Sequence, residues 1–349
     1  MAMTIVEPAR AVTGGVDTHA DVHVAAALDE LGALLGTESF PATPAGYAEL
    51  FEWLEAFGPV TKVGIEGTGS YGAGLCRSLM ARGIDVVEVD CPNRKDRHRA
   101  GKSDTIDALS AARGALSGQA QGRPKGGTGP VEAMRVLLVA KRSARSERAR
   151  ALNQMRQLVF VAPDDIRARF QGLSVTELTS QAAAMRPRPG HQVDYVTLYT
   201  LRELGRRAVS LDDENARLDT LLEPIVADHA PGLLALYGCG TYVAAVLSVT
   251  AGDRPERIRS EAAWAHMCGT APIPAASGKV FRYRLNRGGN RQANSALHTI
   301  VLTRMGHHEP TRTYVDRRRV EGRSTNEIMR SLKRYVARET FHHLPRRGD

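Results

Sequence analysis

Short apolar runs of strand length alternate with helix-like stretches from residue 11 to residue 90: AVTGGVD, VHVAAALD, an amphipathic run over 45–57, KVGIE, a helix starting at Tyr71, and IDVVEVD. Strands interleaved with helices predict an α/β domain. Ser103 stands where it can cap a helix running from Asp104 to Leu116. The following SGQAQGRPKGGTGP holds too much glycine and proline to extend that helix, so a domain boundary is expected near 117–130.

Beyond it the period changes. One helical stretch covers 131–160, a break falls at MRPRPG (185–190), and a second helical stretch ends near Pro231. Within the second, positions 201, 204, 208, 211, 215, 218, 222 and 225 carry Leu, Leu, Ala, Leu, Asn, Leu, Leu and Ile. Steps of three and four in alternation predict a coiled-coil seam that pairs chains into a homo-oligomer, a dimer or tetramer, with Asn215 as the polar position that fixes register. The same stripe also suits an amphipathic helix packed within one chain. A third, mixed region opens with LYGCGTYVAAVLS, passes through a Gly/Pro-rich stretch and ends in arginine-dense helices. The expected division is 1–129, 130–230 and 231–349.

Composition narrows the function. Lysine and arginine number 47 against 38 acids, a net +9 that favours a polyanionic partner. Aromatics at 5% are too few for base stacking to be the main grip on a nucleic acid. Cys76, Cys91, Cys239 and Cys268 lie far apart with no CxxC pair, which argues against zinc or a disulfide framework and suits a reducing cytoplasm. The first twenty residues lack an apolar signal core and no run approaches 18 apolar residues, so no membrane association is expected.

Four acids stand out by position. Asp17 ends GGVD, Glu66 ends KVGIE, and Asp104 and Asp107 lie three apart on the first turn of a helix, where they face the same way. Carboxylates meeting in one cleft suit hard divalent ions such as Mg²⁺, which assist phosphoryl transfer. Taken singly, each has a plainer reading: Asp104 and Asp107 favour a helix N-terminus, and Asp17 and Glu66 can be strand-end charges. Basic residues cluster at Arg94, Lys95, Arg97, Arg99 and Lys102, along the helix at Lys141, Arg142, Arg145, Arg148 and Arg150, and again at Lys279, Arg282, Arg284, Arg287 and Arg291 without an intervening acid. Such runs are either solvated faces or phosphate-gripping segments that set affinity without reading bases. GCGTYVAAVLS (238–248) can be a helix start that binds phosphate or a plain tight turn, and GTGSYGAG (67–74) lacks the lysine and spacing of a P-loop. His307 and His308 have no third ligand nearby and fit a helix end better than zinc.

GGVDTHADVHVAAALDELG, VGIEGTGSYGAGL, VVEVDCPNRKDRHRAGKSDTIDALSAAR and CGTAPIPAASGKVFRYRLNRGGNRQANSALH resemble the insertion-sequence transposases of the one-hundred-and-ten family. The resemblance runs from Gly14 to Thr303. It implies an α/β RuvC/RNase H-like N-terminal domain, a helical coiled-coil middle and a mainly α C-terminal transposase domain. It implies that Asp17, Glu66, Asp104 and Asp107 are the DEDD ligands of Mg²⁺. It further implies that Ser277 is the nucleophile joined covalently to DNA, and that a structured guide (bridge) RNA pairs with donor and target DNA. Ala20 and Asn294 depart from the family's habit of a lysine and an arginine at those places. By the residues alone, a serine in PAASGK is a turn residue. Its small neighbours Ala275, Ala276 and Gly278 leave room for a phosphate, and activation must come from a metal or a distant carboxylate.

The expected function is therefore that of an RNA-guided DNA recombinase acting in the cytoplasm, nucleoid-associated when active. The alternatives are a Holliday-junction-type endonuclease using water, an RNA-binding or architectural protein, and an actin-like sugar kinase. The kinase would need a late Gly-rich adenosine segment, where this chain is arginine-rich.

Overall fold

The chain is described from a computed structural model that covers residues 11–89, 103–124, 127–275, 283–284 and 286–345. Its contacts divide it into two units, 1–127 and 128–349. In the first, the elements are β1 (Val12–Thr18), β2 (Val22–Leu28), β3 (Leu34–Pro41), α1 (Pro44–Glu55), β4 (Val60–Glu66), α2 (Ala73–Ala81), β5 (Asp85–Val89) and α3 (Asp104–Leu116). The sheet runs in the order β3-β2-β1-β4-β5. β1, β2 and β3 form an antiparallel meander. Parallel strands need a helical crossover, and α1 supplies it before β4 pairs with β1, as α2 does before β5 pairs with β4.

β1 is buried along its whole length because helices cover both faces of the sheet. On one face Val12, Val16, Val63 and Ile65 pack with Leu50, Leu54, Leu75 and Leu79 of α1 and α2. On the other lies α3, whose buried side is Ala108, Ala111, Ala112 and Ala115 with Asp107 at its N-terminal end. Two glycines let it sit directly on the strands. A Cβ at Gly15 would meet Ala112 N at 2.1 Å, and one at Gly64 would meet Ala111 O at 2.5 Å.

β3 is the strand that the hydrophobic pattern does not announce. It is the sheet edge, and apart from Phe40 none of its residues is buried, so no alternation marks it. The turn before it is held by Asp29 Oδ1, which accepts from Leu31 N and Ala33 N. Ser103 stands at the N-terminus of α3 as expected, but its hydroxyl lies 2.7 Å from Thr105 Oγ1 and makes no cap bond to the helix.

The second unit is almost entirely helical: α4 (Pro130–Val161), α5 (Asp164–Phe170), α6 (Val175–Ala184), α7 (Gln192–His229), α8 (Pro231–Leu234), α9 (Thr241–Ala251), α10 (Glu261–Met267), the short strands β6 (Ile273–Pro274) and β7 (Tyr283–Arg284), then α11 (Arg291–His307), α12 (Glu309–Val320) and α13 (Thr325–His342). The long helices α4 and α7 lie antiparallel, since Lys141 pairs with Asp219 and Arg148 with Asp212. Around their far end, Leu152, Met155, Phe170, Leu178, Leu201 and Leu204 form one core. Around their near end, Met134, Leu138, Leu222 and Val226 join Trp264 and the C-terminal helices in another.

The heptad stripe of α7 is thereby accounted for. Leu201, Leu204, Ala208, Leu211 and Leu222 are buried against the chain's own α4 and α6, so the stripe packs within one chain instead of serving as the expected seam between chains. Asn215, expected to fix register, donates its amide to Leu211 O on its own helix.

Candidate active site

Gly15 and Asp17 share one face of β1, and Gly64 and Glu66 share one face of β4, because side chains alternate along a strand. Val16 pairs with Ile65, so the next step along both strands sets Asp17 beside Glu66. The glycines admit α3 on this same face. Its first turn, carrying Asp104 and Asp107, therefore lies at the ends of the two strands.

Three side chains converge there. His19 Nε2 is 3.2 Å from Asp17 Oδ2 and 3.5 Å from Asp104 Oδ1, and ligand atoms of Asp17, His19 and Asp104 all lie within 4.8 Å of one another. Among the described residues this is the one group of acids, histidines or cysteines with the spacing of a metal site. Burial pushes the Asp17 carboxyl above its ordinary value, and the charges of Asp107 and Asp104 push it the same way while His19 opposes them. Asp107 is buried and Asp104 exposed. Glu66 stays outside the three-residue cluster. Its main-chain oxygen accepts from Thr18 Oγ1 at 2.8 Å, which ties the ends of β1 and β4 together.

His19 is the member that sequence reasoning passed over. Its signal was the spacing Asp-Thr-His, which returns the third residue to the face of the first, but a histidine there has no stated role until α3 brings Asp104 to it.

The other candidates divide. Ser277, Arg94, Lys95, Arg97, Arg99, Lys102, Lys279 and Arg282 lie outside the described residues. Arg284, on β7, and Arg287 are exposed, and Arg291 is exposed at the start of α11. The basic run on α4 is largely committed inside the fold: Lys141 to Asp219, Arg148 to Asp212, Arg142 to Gln292, and Arg145 over the Tyr242 ring at 4.6 Å. A nucleic-acid role for that run is not needed to explain it. Gly238 adopts a φ of +81°, which makes the GCG stretch a glycine turn ahead of α9. Cys76, Cys239 and Cys268 are free and buried. Burial raises the Cys76 thiol to about 11 and that of Cys239 to about 12, so both are inert apolar residues. His308 Nδ1 lies 2.9 Å from Thr311 Oγ1, a helix-start contact.

Acids gathered at strand ends against a helix start make a centre suited to a divalent cation. Comparison with known proteins gives this centre a family. The model of the IS110-type DEDD enzymes, described as "Transposase", matches residues 14–161. A second, "Transposase IS116/IS110/IS902 family", matches residues 231–316. Both matches are to IS110-type transposases, one over each of these segments of the chain. A relative is the "Insertion element IS110 uncharacterized 43.6 kDa protein" of Streptomyces coelicolor, 29% identical over 134 residues, 38% of this chain and 33% of the relative. The matched segment thus spans a third of that relative's length. No described helix is long and apolar enough to cross a membrane.

Proposed function

We propose that the chain is the DNA-cutting and rejoining enzyme of an insertion sequence, with Asp17, Glu66, Asp104 and Asp107 holding Mg²⁺ and Ser277 as the nucleophile. The carrying observation is the meeting of Asp17, His19 and Asp104 within 4.8 Å, with Asp107 close enough to raise the Asp17 carboxyl. The donor set fits the ion: carboxylate oxygens are the preferred ligands of hard cations, and negative charge drawn together in a partly buried place is relieved by one. The sheet order, with acids on adjacent β1 and β4 and on the helix packed over them, supports the RuvC/RNase H-like reading of the first unit.

Bound Mg²⁺ would polarise a phosphoryl oxygen and favour departure of the leaving strand. The residues of the chain do the rest. Asp17 and Asp104 fix the ligand positions, and His19, bridging them, orients both carboxylates. Ser277 Oγ forms a bond to phosphorus as the P–O bond to the departing strand breaks. The serine proton leaves and the departing strand ends as a hydroxyl. The phosphodiester bond is retained as a serine ester, so a second strand's hydroxyl can displace the serine and rejoin the DNA without an external energy source. Guidance by a structured RNA pairing with donor and target DNA, and assembly as a dimer or tetramer, rest on the family resemblance.

The test is strand cleavage of labelled element-end DNA with the guide RNA present. Single changes of Asp17, Glu66, Asp104 or Asp107 to Ala are expected to abolish cleavage while leaving folding and RNA binding near wild type. Wild-type cleavage by Asp104→Ala would sink the ligand assignment.

A further inference from the structure

The second unit holds a cleft of about 520 Å³ between β7 and α13, a volume in the range of ligand pockets. Tyr283 and Arg284 line it from the strand, and Arg330, Lys333, Arg334 and Tyr335 from the helix. No acid lines it. Other cations of this unit are neutralised by acids: Arg304 pairs with Glu339 at 2.6 Å, and on α13 itself Arg338 pairs with Glu261 at 2.8 Å. Arg284, Arg330, Lys333 and Arg334 have no ion-pair partner among the described residues.

Lys333 is held in place without losing its charge. Its Nζ donates to Asn294 Oδ1 at 2.7 Å, and Asn294 Nδ2 donates to the main-chain oxygens of Cys268 and Gly269. A neutral amide takes one ammonium proton and leaves two for an anion. Burial, then Arg291 and Arg330, push the ammonium below its ordinary value, as happens when cations are gathered without a counter-charge. Arg334 Nη1 is buried with no hydrogen-bond partner among the described residues. Tyr335 is 53% exposed, and its ring is braced by Tyr314 in an edge-on contact at 6.0 Å.

We propose that this cleft seats one nucleotide of a nucleic-acid strand, its phosphate against Arg284, Arg330 and Lys333 and its base on the Tyr335 ring. Guanidinium and ammonium groups gathered on one side supply the phosphate grip, and an exposed, braced aromatic supplies the stacking platform. Such a seat holds a strand without reading its sequence. It deepens the nucleic-acid reading of the protein but does not depend on the acid site.

The experiment uses the full chain in EDTA, where cleavage is silent, and measures anisotropy of labelled single-stranded DNA and RNA of one sequence over a salt series. Arg284→Ala with Arg330→Ala is expected to weaken binding at least tenfold and to flatten the plot of log affinity against log salt by about 0.7, the slope of one single-strand phosphate contact. Tyr335→Ala is expected to weaken binding with the slope unchanged. An iodouracil-substituted strand is expected to crosslink at Tyr335. Arg317→Ala with Arg319→Ala removes the same charge from α12, where both arginines face acids, and is expected to bind as wild type. Loss confined to RNA marks the seat as holding the guide, loss confined to DNA as holding the substrate, and loss of both as holding any strand. Equal weakening by the α12 pair, an unchanged slope for the cleft pair, or crosslinks only outside α13 would overturn the proposal. Asp17→Ala should bind normally here. If it loses cleavage while the cleft pair binds as wild type, the cleft assignment fails and the acid site stands.

Discussion

Gly15 sets the distance on which the acid site depends, because a side chain there would have to occupy the backbone of α3. With a Cβ 2.1 Å from Ala112 N, Gly15→Ala forces the helix off the strand. We expect a loss of at least about 1–3 kcal/mol, the usual cost of overpacking, read by urea unfolding, together with loss of cleavage, since Asp104 and Asp107 move with the helix. His19 provides a second test. His19→Ala leaves Asp17 and Asp104 without the group between them, so cleavage should fall by tenfold or more and demand higher Mg²⁺, whereas an unaltered metal dependence would make the histidine a bystander. Asp17 and Asp104 stood out in the sequence by their places at a strand end and on a helix's first turn, and the fold brings the two together, while Glu66 lies outside their cluster. His19 was not legible, because its partner Asp104 stands 85 positions away in the chain and only the packing of α3 joins them.

At the scale of elements, the strands with a buried face announced themselves and the edge did not. β1, β2 and β4 carry apolar runs because the sheet is covered, while β3 shows solvent-facing residues that any loop might contain. The α7 stripe was visible but not its partner, since a three-four spacing is satisfied equally by a second chain or by α4 and α6. Leu211→Asp with Leu218→Asp should therefore lower the melting temperature and helical signal without lowering the particle mass in light scattering. Two helix starts add a pH test. The Glu177 carboxyl is held below its ordinary 4.5 by the Ser174 hydroxyl and amide, and that of Glu327 by the Ser324 amide and hydroxyl, each pair forming a capping box. A lowered carboxyl stabilises the fold fully above 4.5 and loses that contribution as pH falls through its folded value. Amide exchange at the starts of α6 and α13 should accelerate across that acidic window. Ser174→Ala should cost about 1 kcal/mol and flatten the response at α6 alone.

The whole molecule carries its excess positive charge unevenly. Lys141 and Arg148 of α4 are spent on acids of α7 and Arg145 on a ring of α9, whereas Arg284, Arg330, Lys333 and Arg334 of the β7–α13 cleft have no ion-pair partner among the described residues. Net charge alone did not distinguish the two, because pairing is decided in the fold. The family, matched over 14–161 and 231–316, brings an acid cluster and a Ser-Gly segment into one chain. Their joint use is the central claim, and the most direct measurement is a denaturing gel of the protein with labelled DNA, guide RNA and Mg²⁺, followed by peptide mapping of the labelled species. The covalent adduct should map to Ser277, vanish in Ser277→Ala and vanish in Asp104→Ala, while both variants still bind RNA and DNA. Cleavage that persists in Ser277→Ala, or an adduct at another residue, would contradict the serine mechanism and leave the acids activating water instead.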